Sequence, residues 1–568
     1  MACIIKKKKK NSWYYYAAQS ARVNGKPRII WQKYLGTVDA IVKRAEQAAP
    51  PKPKEAVIFE AGGVAGLLGI AQRLGLVGLI DEAAPKREQG PSVGQYMVLA
   101  ALNRALAPCS KLAIGDWYEQ TVLRRLWRLP KTAFSSQRFW DHMDMVSEEV
   151  IDSVQEKLAA RIEREYGLDR HVLLYDTTNF FTFLATSNSR GSIAKRGHSK
   201  AKRHDLRQVG LALLVTREGQ VPLFHRVYTG NITDVSLFPG LAKELLGRHD
   251  ELIGPNKDAT LVFDKGNVSD EAMQRFVVPG RHFVAAVPAN QAPELIAAPL
   301  DHFEDMPGLP GTKAHTVKHE FWDKECTAVV AYTESFFTQQ LSGVTTNLVK
   351  CQKKLMDIEK GLRRWRRAMR RGEKPRGKRP TVRGVQKNVR NILSSQFMKD
   401  LFQTGIEEER GLPLLRYEVD HSALAKLTNE RLGRTVLVTD HPDWSAKDVI
   451  GAYRSLSAIE EAFKNMKNVD FLHWQPAYHW TTQKIKVHGF YCVLALLLAT
   501  LARNVAATAG IHMSIPALLK ELTGIREVAV IYPQGTLAHR KDHITFSRMT
   551  ARQRKLAECL EIGEVLKG

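Results

Sequence analysis

His171–Thr178 reads HVLLYDTT, and four apolar or aromatic residues, Val172 to Tyr175, lead without a charge into Asp176. A short apolar run of this kind predicts a strand buried on both faces. A carboxylate at its end needs a partner, because an unpaired buried charge is costly. The pattern recurs at Thr260–Gly266, TLVFDKG, where the apolar run ends in Asp264. A third carboxylate, Glu460, stands in the helical stretch YRSLSAIEEAFKNMK, Tyr453–Lys467. Two strand-end aspartates and one helix glutamate make an oxygen-rich set able to hold two divalent metal ions.

The order of elements around these stretches defines a fold class. Residues 207–216 alternate, Glu218-Gly219 turns the chain, and Val221–Tyr228 runs back, which predicts a hairpin continuing from the first strand. Thr233–Arg248 reads as a helix, Thr260–Asp264 as the fourth strand, Ser269–Val278 as a second helix and His282–Val287 as the fifth strand. This β-β-β-α-β-α-β order is that of an α/β, RNase H-like core, a mixed five-stranded sheet with flanking helices. Its first and fourth strands are parallel neighbours, so Asp176 and Asp264 are expected side by side at the switch point where ligands gather. Within Tyr453–Lys467, Tyr453, Glu460 and Lys467 are spaced by seven and seven. On one continuous helix that spacing returns each to nearly the same face. Ile459, Phe463 and Met466 form the apolar stripe beside them.

The flanks have other textures. At 568 residues the chain is long enough for about three to five domains. Its net charge of +25 points to a polyanionic partner, and nucleic acid is the common one. Six scattered cysteines without a CxxC pair argue against structural zinc or a disulfide framework and fit a reducing cytosol. Lys6–Lys10 is basic like the start of a leader, but no apolar segment follows it. The apolar run Phe490–Ala502 is too short to span a bilayer and predicts a buried helix. Residues 1–55 read as a β-hairpin around Asn24-Gly25 followed by a tether. Residues 56–165 read as a helical, DNA-binding domain, with Ser92 as an N-cap and Ser135-Ser136 opening a later helix. The core spans 166–289 and 445–505, and 506–568 forms a helical tail. Between the two core parts, 290–444 is an insertion: strand-rich at His315–Tyr332, then a heptad stripe from Val344 to Met369, a basic break GEKPRGKRP, and a returning amphipathic stretch, Val385–Leu401. Residues 351–390 hold 16 Lys/Arg against 3 Asp/Glu, a density that phosphate contacts explain.

YDTT, VFDKGN and Y-x6-E-x6-K together resemble the DDE transposases of bacterial insertion sequences, in particular the insertion-sequence-four superfamily with its Tyr-Arg-Glu-Lys signature. The segment from Arg196 to Asp234 is similar to the hairpin region of that superfamily, and Phe490–Ala502 to the apolar helix after the signature. One position departs: the signature arginine falls on Leu456. The resemblance implies metal-dependent cleavage of double-stranded DNA at terminal inverted repeats and strand transfer into a target. It implies two Mg²⁺ or Mn²⁺ ions held by Asp176, Asp264 and Glu460, a homodimer on DNA, and work at the nucleoid of a bacterial cytoplasm with no membrane. DNA contacts are expected from Tyr453, Lys467, Lys265, Lys200 and Arg203, and from the hairpin cations Arg363, Arg367, Arg371, Lys378 and Arg379. Trp322 or Trp365 would stack a flipped base. The alternatives are a catalytically silent DNA-binding protein and a structure-specific nuclease on the same fold. No GxxxxGK[ST] loop is present, which argues against ATP-driven work.

Overall fold

The structure, a computed structural model, describes residues 2–47, 52–85, 90–185, 187–197, 203–232, 236–240, 244, 258–270, 273–274, 281–373, 375, 377–532 and 542–567. Lys200 and most of the expected helices at 233–248 and 269–278 lie outside them. Three strands open the chain, β1 (Ala2–Lys9), β2 (Ser12–Val23) and β3 (Lys26–Gly36), paired in that order into an antiparallel sheet. Asn24 and Gly25 both take positive φ, as their hairpin turn requires. The expected hairpin thus gains a third strand, because the lysine run pairs along the aromatic run of β2. A further strand, β4 (Glu55–Glu60), stands at the start of the domain expected to be helical.

Helices between Gly62 and Tyr166 follow. Ser92 closes a reciprocal capping box with Gln95 at the start of Val93–Leu106, and Ser135 caps Ser136–Asp144. These helices pack on the helix Thr482–Thr508, which contains Phe490–Ala502. That helix is long and apolar enough to cross a membrane by length and composition, and 94% of its most apolar window is buried inside the protein. It also approaches the sheet closely: a Cβ on Gly489 would lie 2.4 Å from Val227 and 3.4 Å from Trp474. The helices and the sheet share one apolar core.

The sheet has nine strands, where five were expected. Five follow the anticipated order: β5 (Val172–Thr182), β6 (Arg207–Thr216), β7 (Pro222–Thr229), β8 (Ala259–Phe263) and β9 (Arg281–Val287). β7, β6 and β5 are antiparallel neighbours, and β8 and β9 continue parallel to β5. The remainder of the sheet comes from the insertion. β10 (Glu304–Asp305), β11 (Thr312–Phe321) and β12 (Lys324–Thr333) join through β15 (Arg434–Thr439) to the far edge of β9. β9 is buried and apolar from Phe283 to Val287, so an unpaired edge there would strand its peptide groups; the antiparallel β15 satisfies them.

The rest of the insertion builds a second core. The heptad stripe forms a helix, Glu334–Arg370, which buries Val344, Cys351, Leu355 and Leu362. It packs against Val382–Ile392 and the hairpin β13 (Phe402–Glu409) and β14 (Leu412–Val419). The C-terminal segment, expected to be helical throughout, also carries β16 (Arg526–Ile531) and β17 (His543–Phe546). β16 lies between β17 and β4, so the C-terminal segment pairs with the strand that precedes the first helical region.

Several histidines are held neutral in this interior. Burial, reinforced by Arg226, pushes His225 down to about 3. Burial and the neighbouring His282 push His441 down to about 4, while its ring bonds Thr260 at 2.6 Å. An unfolded chain takes up these protons near pH 6.5, where the folded chain refuses them. Stability is therefore expected to be full above pH 6.5 and to fall as pH drops toward 4. Urea midpoints at pH 7 and pH 5 measure this, with His441→Gln expected to flatten the dependence. A midpoint that rises on acidification would contradict it.

Candidate active site

The parallel pairing of β5 and β8 ends with Tyr175 opposite Phe263. Asp176 is the next residue of β5, and Asp264, still extended in backbone, directly follows β8. Side chains alternate along a strand, so Tyr175 and Phe263 share one face and the two aspartates the other. The ring contacts agree: Phe238 lies 5.0 Å from Tyr175 and 4.7 Å from Phe263. Asp176 is not the end of its strand, as the sequence suggested. β5 runs on to Thr182, held by β6 alone, with Asp176 opposite Leu213. Asp264 directly follows Phe263, the last residue of β8, and a 3-10 turn begins at Lys265.

The signature stretch is two helices and not one. Ala446–Arg454 ends where Ser455 donates its hydroxyl to the Ala452 carbonyl, and Ser457–Asn465 begins after a break. The single-helix argument for a shared face therefore fails, yet Tyr453 reaches Asp264 and Lys467 reaches β5, while Glu460 is exposed on the second helix. The Tyr453 hydroxyl donates to Asp264 Oδ1 at 2.6 Å. Burial first, then the carboxylates of Asp264, Glu460 and Asp176, hold that hydroxyl far above the ordinary tyrosine range. One protonated hydroxyl thus feels all three carboxylates. Glu461 is turned elsewhere: its carboxylate acts on the Arg503 guanidinium of Thr482–Thr508, opposing the lowering that burial imposes there.

Lys467 reaches back over β5. Its ammonium donates to Thr178 Oγ1 at 2.7 Å and lies 5.2 Å from the Phe180 ring centroid. Thr178 and Phe180 share the face of Asp176, so a cation stands beside the carboxylates. The following loop is clamped: Trp474 stacks on Phe180 at 4.4 Å, and the buried Arg104 guanidinium donates to the carbonyls of His473 and Gln475. Arg454 takes no part, bonding Thr312 and Thr333 at the insertion strands.

Asp176, Asp264 and Glu460 offer only hard carboxylate oxygens, the donor chemistry of Mg²⁺ and Mn²⁺. Among the described residues, no group of three His, Cys, Asp or Glu side chains stands ready to hold an ion. Asp264 is engaged by Tyr453, and Asp176 Oδ1 accepts from the Thr177 amide at 2.7 Å.

The remaining cations are dispersed. Lys265 is exposed beside Asp264. Arg203 is held by Asp205 through two hydrogen bonds of 2.8 and 2.7 Å. Arg363, Arg367, Arg371, Lys378 and Arg379 are exposed around the tip of the second core, where Arg363 pairs with Glu359 and Arg379 bonds the Gly411 carbonyl. Trp322 packs on Phe283 and Phe321, at the opposite end of the sheet from Asp264, and Trp365 is half-buried on the helix Glu334–Arg370. A further exposed aromatic group, not among the expected site residues, stands elsewhere on the sheet. Phe183, Tyr478 and Trp480 are exposed at the far end of β5, with Phe183 and Tyr478 5.9 Å apart. A surface cavity of about 530 Å³ lies close by, lined by Ser189, Asn188, Lys195, Arg196 and Arg207. The signal available in the sequence was PAYHW, Pro476–Trp480, aromatics outside any apolar periodicity.

No protein-family model and no curated protein matches the chain. Among solved structures, a piggyBac transposase in a synaptic complex with hairpin DNA resembles it at 8% identity and a TM-score of 0.37, over 81% of this chain and 79% of that one. Likeness at that level carries no inference about activity, which rests on the geometry above.

The orientation of the two adjacent glutamates is open to measurement. If Glu460 serves as a metal ligand, Glu460→Gln is expected to weaken Mn²⁺ binding, followed by calorimetry, on the order of tenfold or more. Glu461→Gln should leave it unchanged and alter stability by less than about 0.5 kcal/mol. The reverse order would remove Glu460 from the site.

Proposed function

We propose that this chain is a transposase of the DDE type, related to the insertion-sequence-four superfamily, built on an RNase H-like core whose sheet its insertion enlarges. The observation that carries the reading is the Tyr453 hydroxyl, which donates to Asp264 where the parallel pairing of β5 and β8 stops and on which the Glu460 and Asp176 carboxylates also act electrostatically. The order β7-β6-β5-β8-β9, with β6 alone running against the other four strands, supports the core assignment. The net charge of +25 supports DNA as the substrate.

In this reading Asp176, Asp264 and Glu460 would hold two Mg²⁺ or Mn²⁺ ions. When bound, such ions supply activation of an attacking oxygen and stabilisation of a leaving one. The chain's own groups do the rest. Tyr453 stays protonated among three carboxylates and fixes Asp264 by donating to it. Lys467, held on Thr178 and Phe180, offers a point charge to a substrate phosphate beside Asp176. Lys265 offers another beside Asp264. Joining two element ends to a target calls for two copies of the chain on DNA, in the cytoplasm of a bacterium. Short inverted repeats in the DNA flanking the coding region would mark those ends.

Purified protein is expected to nick DNA carrying such ends only with Mg²⁺ or Mn²⁺. Asp176→Asn and Asp264→Asn should each abolish nicking and leave end binding intact, because phosphate contacts elsewhere dominate affinity. Gel analysis of cleavage beside a mobility-shift assay separates the two effects. A variant that still cuts would dismiss that aspartate from the site.

A further inference from the structure

The β1-β2-β3 sheet and the helix Val38–Gln47 that follows it draw on neither apolar core; among the described side chains of residues 2–45, none belongs to either cluster. The sheet nevertheless leaves Trp13, Ile29, Ile30, Trp31 and Tyr34 between 45% and 54% exposed. Trp13 and Trp31 stand on one face of the sheet and Ile29 and Tyr34 on the other, and exposed tryptophans of that kind mark a candidate interaction face.

Cross-strand pairing sorts its residues. The pairs Lys8↔Trp13, Lys6↔Tyr15, Ala17↔Lys33, Gln19↔Trp31 and Ala21↔Arg28 all fall on odd-numbered positions of β2. Directly opposed residues share a face, so Lys6, Lys8, Trp13, Arg28, Trp31 and Lys33 stand together. The Lys6 ammonium lies 4.8 Å from the Trp13 ring centroid and that of Lys8 6.0 Å. The opposite face is partly engaged within the sheet itself. Tyr34 contacts Tyr14 and Tyr16 at 6.0 and 5.3 Å, Lys7 lies over Tyr16 and bonds Gln32, and Ala18 is buried.

What would cover the first face follows from charge and shape. Residues 1–47 hold eleven Lys/Arg against two Asp/Glu, so the partner is strongly anionic. Tryptophans interleaved with the cations call for flat apolar surface between the negative charges, which sugars and bases supply between phosphates. Strands of a small sheet fit the major groove, about 12 Å wide. β2, with 12 residues, is about 40 Å long, close to one turn of duplex.

We propose that the face bearing Lys6, Lys8, Trp13, Arg28, Trp31 and Lys33 binds double-stranded DNA, as a contact separate from the carboxylate site. It rests on the transposase reading only in taking DNA as the nucleic acid. The test uses the full chain and a fluorescein-labelled short duplex of random sequence, with anisotropy read across a range of salt. The triple variant Lys6→Gln, Lys8→Gln, Lys33→Gln is expected to shallow the slope of log affinity against log salt by about 2.7, near 0.9 for each phosphate no longer neutralised. Trp13→Ala with Trp31→Ala should weaken binding at every salt concentration and leave the slope alone. Unfolding midpoints verify that the lysine variant is folded, since its changes are all at exposed positions. An unchanged slope in the folded lysine variant overturns the proposal. So does loss of binding to phosphatidylserine vesicles with DNA binding retained, which would reassign the face to acidic lipid. Mn²⁺ binding measured on the same preparations keeps the two readings apart: its absence in the parent protein counts against the carboxylate site and leaves the slope result standing.

Discussion

The parallel pairing of β5 and β8 is the constraint on which the site depends. Both strands are apolar where they pair, and Tyr175 and Phe263 close the pairing under Phe238. Alternation then leaves the next residue on each strand no choice of face. Two aspartates so placed would repel one another in a dry interior. They are tolerated because the pairing has ended, both are only partly buried, and a tyrosine hydroxyl donates to one of them. Burial and three carboxylates keep that hydroxyl protonated, so it remains a donor.

The break at Ser455 and Leu456 has the same role for the third carboxylate. Along one straight helix, Tyr453 and Glu460 would sit about 10 Å apart along the axis. Interrupting the helix lets one segment seat Tyr453 against Asp264 and the next present Glu460, while Ile459 and Phe463 are buried in the core. Lys467 then leaves the helix to lie on β5, and the Arg104 clamp on His473 and Gln475 fixes the chain beyond it. The helical region before the core thus buttresses the site from behind. Its Arg125 is likewise spent inside the protein, on Glu527 of β16 at 2.7 Å.

The insertion serves two physical ends. Its strands β15, β12 and β11 satisfy the edge of a buried sheet, and its helices close a separate core around Leu355. The basic residues that dominate its charge remain exposed at the tip of that second core, away from the sheet's own packing.

The sequence by itself determined a good deal. Apolar runs ending in carboxylates located β5 and β8, the Glu218-Gly219 turn located the β6–β7 hairpin, and heptad spacing located the helix Glu334–Arg370, because each signal is local and periodic. Asp176, Asp264 and Glu460 were singled out for the same reason. Tertiary structure decided what no local pattern contains. The continuation of β5 past Asp176 depends on pairing with β6, and the growth of the sheet to nine strands on the edge that β9 offers. The helix break at Ser455 is not visible as a proline or glycine, and a strong apolar stripe runs through it. The contact of Tyr453 with Asp264 joins residues 189 positions apart, and only the packing of a helix against a sheet can bring them within 2.6 Å.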